Sequence, residues 1–168
     1  LKNLKIPLIT AVNGVAAGAG CSLGIFGDIV YAAKSSYFYQ AFKFIGLVPD
    51  ASSTFVIPRK IGMARALEFS LIGEKVTAEK ALDWGLINKV VDFKDLKDEA
   101  NNLAKKLASG PSLAFGKLKN LVNNSFLDSL EGQMEYEARM IAESAKTKDG
   151  IDGIEAFVNK KSITFKGQ

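Results

Sequence analysis

Asn13-Gly14-Val15-Ala16-Ala17-Gly18-Ala19-Gly20-Cys21-Ser22 is the stretch that decides how this chain is read. An apolar run, Leu8–Asn13, comes before it and reads as a buried strand. A short, tightly packed helix from about Gly20 to Phe26 is expected after it. A turn of small residues between a strand and a helix points several backbone N–H groups at one spot, and the helix dipole adds partial positive charge there. Such a turn can hold a phosphate or stabilise an oxyanion, because small residues let a ligand approach the backbone closely. It serves close strand–helix packing equally well, and the residues alone leave both readings open. No Gly-Lys-Ser/Thr follows, so this is not a Walker loop, and Gly18-Ala19-Gly20 lacks the third glycine of a dinucleotide fingerprint.

Working outward, Leu8 to Ala33 carries one charge, Asp28. The run is long enough to suggest a membrane span, but its glycines together with Asn13 and Ser22 favour buried strands and a turn. Strands are expected at Ile29–Ala33, at about Ser36–Gln40 and at Leu86–Val91. Between them, Gly46 to Thr54 reads as a loop, with Pro49 restricting Val48 and Asp50 favouring a turn. A helix capped by Ser52, Ser53 or Thr54 should follow and break at Ile61-Gly62. A second, Met63–Ile72, should end at Gly73, and Thr77 should cap a third, Ala78–Trp84. From Asp95 onward the pattern is helical: Leu96, Ala100, Leu103 and Leu107, then a break at Gly110-Pro111, then Ser112–Asn123. Leu127, Leu130, Met134, Ala138, Ile141 and Ala145 form one apolar stripe, read as core or subunit interface. Ile151, Ile154 and Val158 mark a last helix.

The chain has 168 residues, no histidine and one cysteine, Cys21. Without histidine these residues supply no Ser-His-Asp or Cys-His hydrolase and no His-ligated metal site. A single cysteine forms no internal disulfide and no four-cysteine zinc site, so no metal is expected, and it fits a reducing cytoplasm. Net charge is +4 with no block of one sign, which argues against a nucleic-acid surface. Acid–base chemistry must come from Asp, Glu, Lys, Tyr or the backbone. The chain opens on Leu1 with no secretory pattern and runs straight into a strand, as expected of a piece lacking an N-terminal portion.

Two further clusters are candidates for chemistry. Asp50 is either a solvated turn-former or a general base on a loop stiffened by Pro49. Leu47, Val48 and Ala51 beside it would bury it partly and raise its pKa. Phe38, Tyr39, Phe42 and Phe44 are either core or the wall of an apolar substrate tunnel.

At these residues the sequence resembles the enoyl-CoA hydratase/isomerase (crotonase) family. The likeness lies in Pro7-Leu8-Ile9-Thr10-Ala11-Val12-Asn13-Gly14, Ala17-Gly18-Ala19-Gly20-Cys21-Ser22-Leu23, Gly27-Asp28-Ile29-Val30 and Gly46-Leu47-Val48-Pro49-Asp50. It continues through Leu71-Ile72-Gly73-Glu74, Trp84-Gly85-Leu86-Ile87 and Ala156-Phe157-Val158-Asn159-Lys160-Lys161. The resemblance implies an α/β fold, the ClpP/crotonase spiral of ββα units, followed by C-terminal trimerisation helices. Residues 1–110 would be the C-terminal part of the spiral core and 111–168 the trimerisation region. It also implies an acyl-CoA substrate, no separate cofactor because CoA is part of that substrate, and a homotrimer or hexamer with no nucleic-acid or membrane partner. The family stabilises a thioester enolate with two backbone N–H groups. The position matching one donor is Ala19, flanked by Gly18 and Gly20, and the other donor belongs to the N-terminal part expected to be missing. The hydratases' two glutamates match Ser22 and Phe42 here, which cannot activate water. Asp50, in its Gly-Leu-Val-Pro-Asp setting with Leu47 and Pro49, falls where isomerase-type members carry an acid, most like the branch acting on ring-epoxyphenylacetyl thioesters. Phe157 and Lys160 match residues with which one subunit grips the nucleotide end of CoA bound to its neighbour. The resemblance thus implies an isomerase with one carboxylate as proton shuttle. A hydratase using other residues, or a non-catalytic acyl-CoA-binding or assembly piece, are the alternatives.

Overall fold

The computed structural model describes all 168 residues, which divide into two compact units, Leu8–Asn102 and Leu1–Pro7 with Leu103–Gln168. The first holds every strand. β1 (Ile9–Val12), β3 (Ile29–Ala33) and β6 (Lys89–Val91) form one sheet in the order β1-β3-β6. Both pairings are parallel, with Ile9 opposite Ile29 and Ala33 opposite Val91. Parallel strands covered on both faces read as continuous apolar runs, which is why Ile29-Val30-Tyr31-Ala32-Ala33 is legible as the middle strand. The second sheet has the order β2-β4-β5, with β2 (Val15–Ala17) parallel to β4 (Tyr37–Tyr39) and β5 (Val76–Thr77) antiparallel to it.

β2 is a departure from the expected turn. Its three residues include two alanines, poor strand formers, and flanking glycines hide it in the sequence. Pairing with the aromatic β4 outweighs that weak local preference. The hydroxyl of Ser36, 2% exposed, donates to the Val12 carbonyl at 2.9 Å and so ties the first sheet to the start of β4. Asn88 extends the β3–β6 ladder by hand: its N–H donates to the Val30 carbonyl and its Oδ1 accepts the Val30 N–H, each at 2.8 Å.

The core of this unit is Val12, Ala16, Cys21, Ile25, Val30, Phe38, Ile57, Phe69, Val76 and Leu86 among others, with Trp84 edge-on to Phe69 at 6.2 Å. Burying each large aliphatic or aromatic side chain stabilises the fold by about 1.5–3 kcal/mol. The helices α1 (Ala19–Gly24), α2 (Ser53–Ile72) and α3 (Ala78–Asp83) cover the sheets. α2 is two helical pieces joined at Gly62, whose φ of 78° and ψ of 163° interrupt the helix where the sequence expected a break. Thr77 caps α3 as anticipated, its hydroxyl accepting the Lys80 N–H. Ser52 precedes α2 but makes no capping bond, because its backbone sits in the left-handed region.

α4 (Leu96–Ala108) leads out of this unit. The other unit holds α5 (Ser112–Asn124), α6 (Leu130–Ala145) and α7 (Lys148–Val158). α6 starts after Leu127, since Ser129 caps it by accepting the Gly132 N–H at 3.1 Å, while the Leu127 N–H closes a turn on Asn124. No residue of α6 is buried, and Leu130, Met134 and Ile141 of its stripe are exposed. A groove of about 510 Å³ runs between α5 and α6, walled by Leu118, Leu121, Met134 and Ile141. No helix is long and apolar enough to cross a membrane.

Replacing Ser36 by Ala removes the bond between the sheets. It should cost about 1–2 kcal/mol, read as a lower urea midpoint at unchanged slope.

Candidate active site

The turn between β2 and α1 is built around Gly18. Its φ of 51° and ψ of −126° are accessible only to glycine at low cost. Its N–H donates to the Tyr39 carbonyl at 2.9 Å, which ties the end of β2 to β4. Its carbonyl accepts the Ser22 N–H at 3.1 Å and the Ser22 hydroxyl at 3.3 Å. With Gly18 thus saturated, the next two N–H groups, those of Ala19 and Gly20, donate to no acceptor in the protein, and both residues are exposed. Two open donors at the start of a helix can hold a developing negative charge without reorganising.

Ser22 is fully buried and turned back on the Gly18 carbonyl. The Phe42 ring lies over the outside of the same turn, with Cζ 3.8 Å from where a Cβ on Gly18 would sit. The aromatic cluster therefore separates. Phe38 is core, Tyr39 stacks on the exposed Phe44 at 5.7 Å, and Phe42 faces the turn. Phe42 and Phe44 sit on a 3-10 helix, Ala41–Ile45, that the sequence did not announce. Gly46, at φ 69°, ends it, and the Leu47 N–H returns to the Phe42 carbonyl at 3.1 Å. That closure fixes where the Leu47–Asp50 loop departs.

Asp50 takes the solvated one of its two expected settings: it is exposed, and so are Leu47, Val48 and Ala51 around it; only Pro49 is half-buried. Backbone anchoring holds it instead. Its carbonyl accepts both the N–H and the hydroxyl of the buried Ser53, each at 3.0 Å. Ala51 and Ser52 follow it with φ of 47° and 67°. Residues with side chains rarely adopt such angles, and when they do the strain tends to sit at functional loops.

Cys21 and Gln40 lie behind the turn, both buried. Burial pushes the Cys21 thiol up to about 11, with the Tyr39 backbone pulling it partly back. The Gln40 carboxamide has no hydrogen-bond partner. Sequence reasoning passed over Gln40 and the Tyr39 carbonyl, since neither belongs to a pattern that a sequence displays. No group of three or more Cys, Asp or Glu is placed to hold a metal ion.

Phe157 and Lys160 belong to the other unit, at the end of α7. Phe157 is 85% exposed. Lys160 has φ 53°, and the Lys161 N–H reaches back to the Ala156 carbonyl at 2.8 Å, so Lys160 fills the left-handed helix-end position that glycine usually takes.

The family model for enoyl-CoA hydratase/isomerase matches residues 1–168. The chain belongs to the enoyl-CoA hydratase/isomerase family. Over all 168 residues it is 41% identical to the 1,2-epoxyphenylacetyl-CoA isomerase of Escherichia coli K12, covering 64% of that protein. It is 34% identical over the same span to the mitochondrial enoyl-CoA hydratase of Pongo abelii, covering 58% of it. The crystal structure of an enoyl-CoA hydratase/isomerase from Cupriavidus metallidurans superposes with a TM-score of 0.92 at 32% identity, over 99% of this chain and 63% of that one. The α/β crotonase fold expected from the sequence is therefore the fold of this chain. The chain spans less than two thirds of the length of these family members.

With its pKa near 11, the buried Cys21 thiol stays protonated at pH 8. Iodoacetamide should leave Cys21 unlabelled in the folded protein and label it fully in concentrated urea, as read by intact mass.

Proposed function

We propose that the protein carrying this chain is an acyl-CoA isomerase that moves a double bond through a thioester enolate. The observation that carries the reading is the presence of two unsatisfied N–H groups at the start of α1, together with a carboxylate, Asp50, on a loop anchored through its backbone, where Ser22 and Phe42 offer no acid or base. Asp50 takes a proton from the carbon between the thioester carbonyl and the double bond. The enolate oxygen rests on the Ala19 N–H, and Asp50 returns the proton at a different carbon. Donors fixed in advance stabilise the charge as it forms, and one carboxylate serves both transfers. Gly18 and Gly20 keep the approach to the Ala19 N–H open, while Phe42, Leu47 and Pro49 border the acyl chain. The second donor of the oxyanion hole comes from sequence beyond these residues, so the chain alone does not complete the hole. CoA is part of the substrate and no separate cofactor is required. The similarity to a 1,2-epoxyphenylacetyl-CoA isomerase supports this reading, and the hydratases among the relatives mark the rival.

Subunit packing is part of the same proposal. The exposed stripe of α6 and the α5–α6 groove form an interface between copies of this protein, in a trimer or a dimer of trimers. Phe157 and Lys160 then grip the nucleotide end of CoA held by the neighbouring copy.

In the intact protein, Asp50→Asn should lower turnover of a 3-enoyl-CoA by about 10²–10⁴-fold with an unchanged circular dichroism spectrum. Undiminished turnover would overturn the assignment, and brisk hydration of crotonyl-CoA by the parent protein would favour the hydratase reading. Lys160→Gly relieves the left-handed backbone and should stabilise the fold by about 0.5–1 kcal/mol. The same change should weaken acyl-CoA binding, as measured by thermal melting beside calorimetry.

A further inference from the structure

Beyond Lys160 the chain does not trail away. It turns back along α7 to that helix's own beginning. There Asp149, the one buried charged residue, accepts the Lys166 N–H on Oδ1 at 2.8 Å and the Gly167 N–H on Oδ2 at 2.7 Å. Its own N–H donates to the Gln168 carbonyl at 2.9 Å. On the way the Phe165 ring settles against Gly153 on α7, 3.4 Å from where a Cβ would stand. Hydrogen bonds from the strap's backbone, that of Lys166 foremost, and the charge of Lys148 hold the Asp149 carboxyl below the usual carboxylate range. Thr147 caps the same end of α7, accepting the Gly150 N–H at 3.0 Å while its hydroxyl donates to the Ser144 carbonyl at 2.7 Å.

The loop closed in this way contains the strained residue. α7 runs up to Asn159, Lys160 makes the reversal at φ 53°, and the strap from residue 162 to 168 runs back. A left-handed lysine persists only where its surroundings fix both sides of the turn. The helix fixes one side through the Lys161 N–H on the Ala156 carbonyl, and Asp149 fixes the other. We propose that Asp149 is a positioning residue: by latching the C-terminal strap to the start of α7 it holds Lys160 in its strained reversal, and so orients the Phe157–Lys160 corner toward the nucleotide end of CoA. This rests on the role given to that corner above.

The test uses the intact protein with Asp149→Asn, Lys160→Met and a chain ending at residue 164. Hydrogen exchange by mass spectrometry reads the strap directly, and Asp149→Asn should speed exchange at Lys166 and Gly167 by about tenfold or more. With a full acyl-CoA, Asp149→Asn and the shortened chain should each raise KM about five- to tenfold at nearly constant kcat, and their combination should add nothing further. With the N-acetylcysteamine thioester of the same acyl group, which lacks the nucleotide, neither should change KM. An equal loss on both substrates would show a merely structural role and overturn the proposal. So would an unchanged KM for acyl-CoA in Asp149→Asn while Lys160→Met raises it. If Lys160→Met itself leaves the KM for acyl-CoA unchanged, the corner does not grip CoA and both readings fall, whatever the exchange shows.

Discussion

The site depends first on one hydrogen bond, from the Gly18 N–H to the Tyr39 carbonyl. It ends the β2–β4 ladder one residue beyond the strand and leaves the chain no extended continuation. Gly18 must then turn through a backbone conformation closed to other residues, and α1 starts at once. A helix begun so abruptly has no residue in place to satisfy its first N–H groups, and no side chain caps them. The open donors at Ala19 and Gly20 follow from that geometry. Buried core lies directly behind the turn at Cys21, Ser22 and Ile25, so the donors cannot relax inward. Preorganisation here is a packing result as much as a property of the turn.

Much of the fold was legible because its signals are local. Ile29–Ala33 is a continuous β-branched and small run, Gly62 and Gly73 stop helices, and Thr77 caps one. β2 was not legible. Nothing in Val15-Ala16-Ala17 favours a strand except the partner that Tyr37–Tyr39 provides, and a partner is not written in the segment itself. The 3-10 helix around Phe42 escaped for a similar reason, since its aromatic residues also suit a strand. At the site, the family resemblance pointed to Ala19 and Asp50, while the residues alone left open whether Asp50 is solvated or partly buried, and it is exposed. Apolar neighbours in sequence do not bury a carboxylate when they themselves face outward, as Leu47 and Val48 do. The contribution of Asp149 was invisible, because its partners are backbone amides seventeen and eighteen residues away.

Strain is distributed unevenly. The chain has three residues other than glycine at positive φ: Ala51, Ser52 and Lys160. Two follow Asp50 directly and the third is itself a proposed binding residue. Each left-handed non-glycine residue costs on the order of 1 kcal/mol, and glycine at these places would lower that cost. Neither segment uses it. Both are instead held by buried anchors, Ser53 on the Asp50 carbonyl and Asp149 on the strap.

The two anchors differ in a way that bears on chemistry. Ser53 binds the backbone of Asp50 and makes no bond to its carboxylate, so the loop's position is fixed without engaging the acid group. Asp149 spends its own carboxylate on backbone N–H groups, which removes it from acid–base work and makes it a strut. Reversing these roles would fail physically. A carboxylate whose oxygens are committed to backbone amides is a poor acceptor for a substrate proton, and a hydroxyl lacks the charge to hold a strap by two bonds at once. Within this chain, then, surroundings and not residue type separate the aspartate proposed to move protons from the one proposed to hold structure.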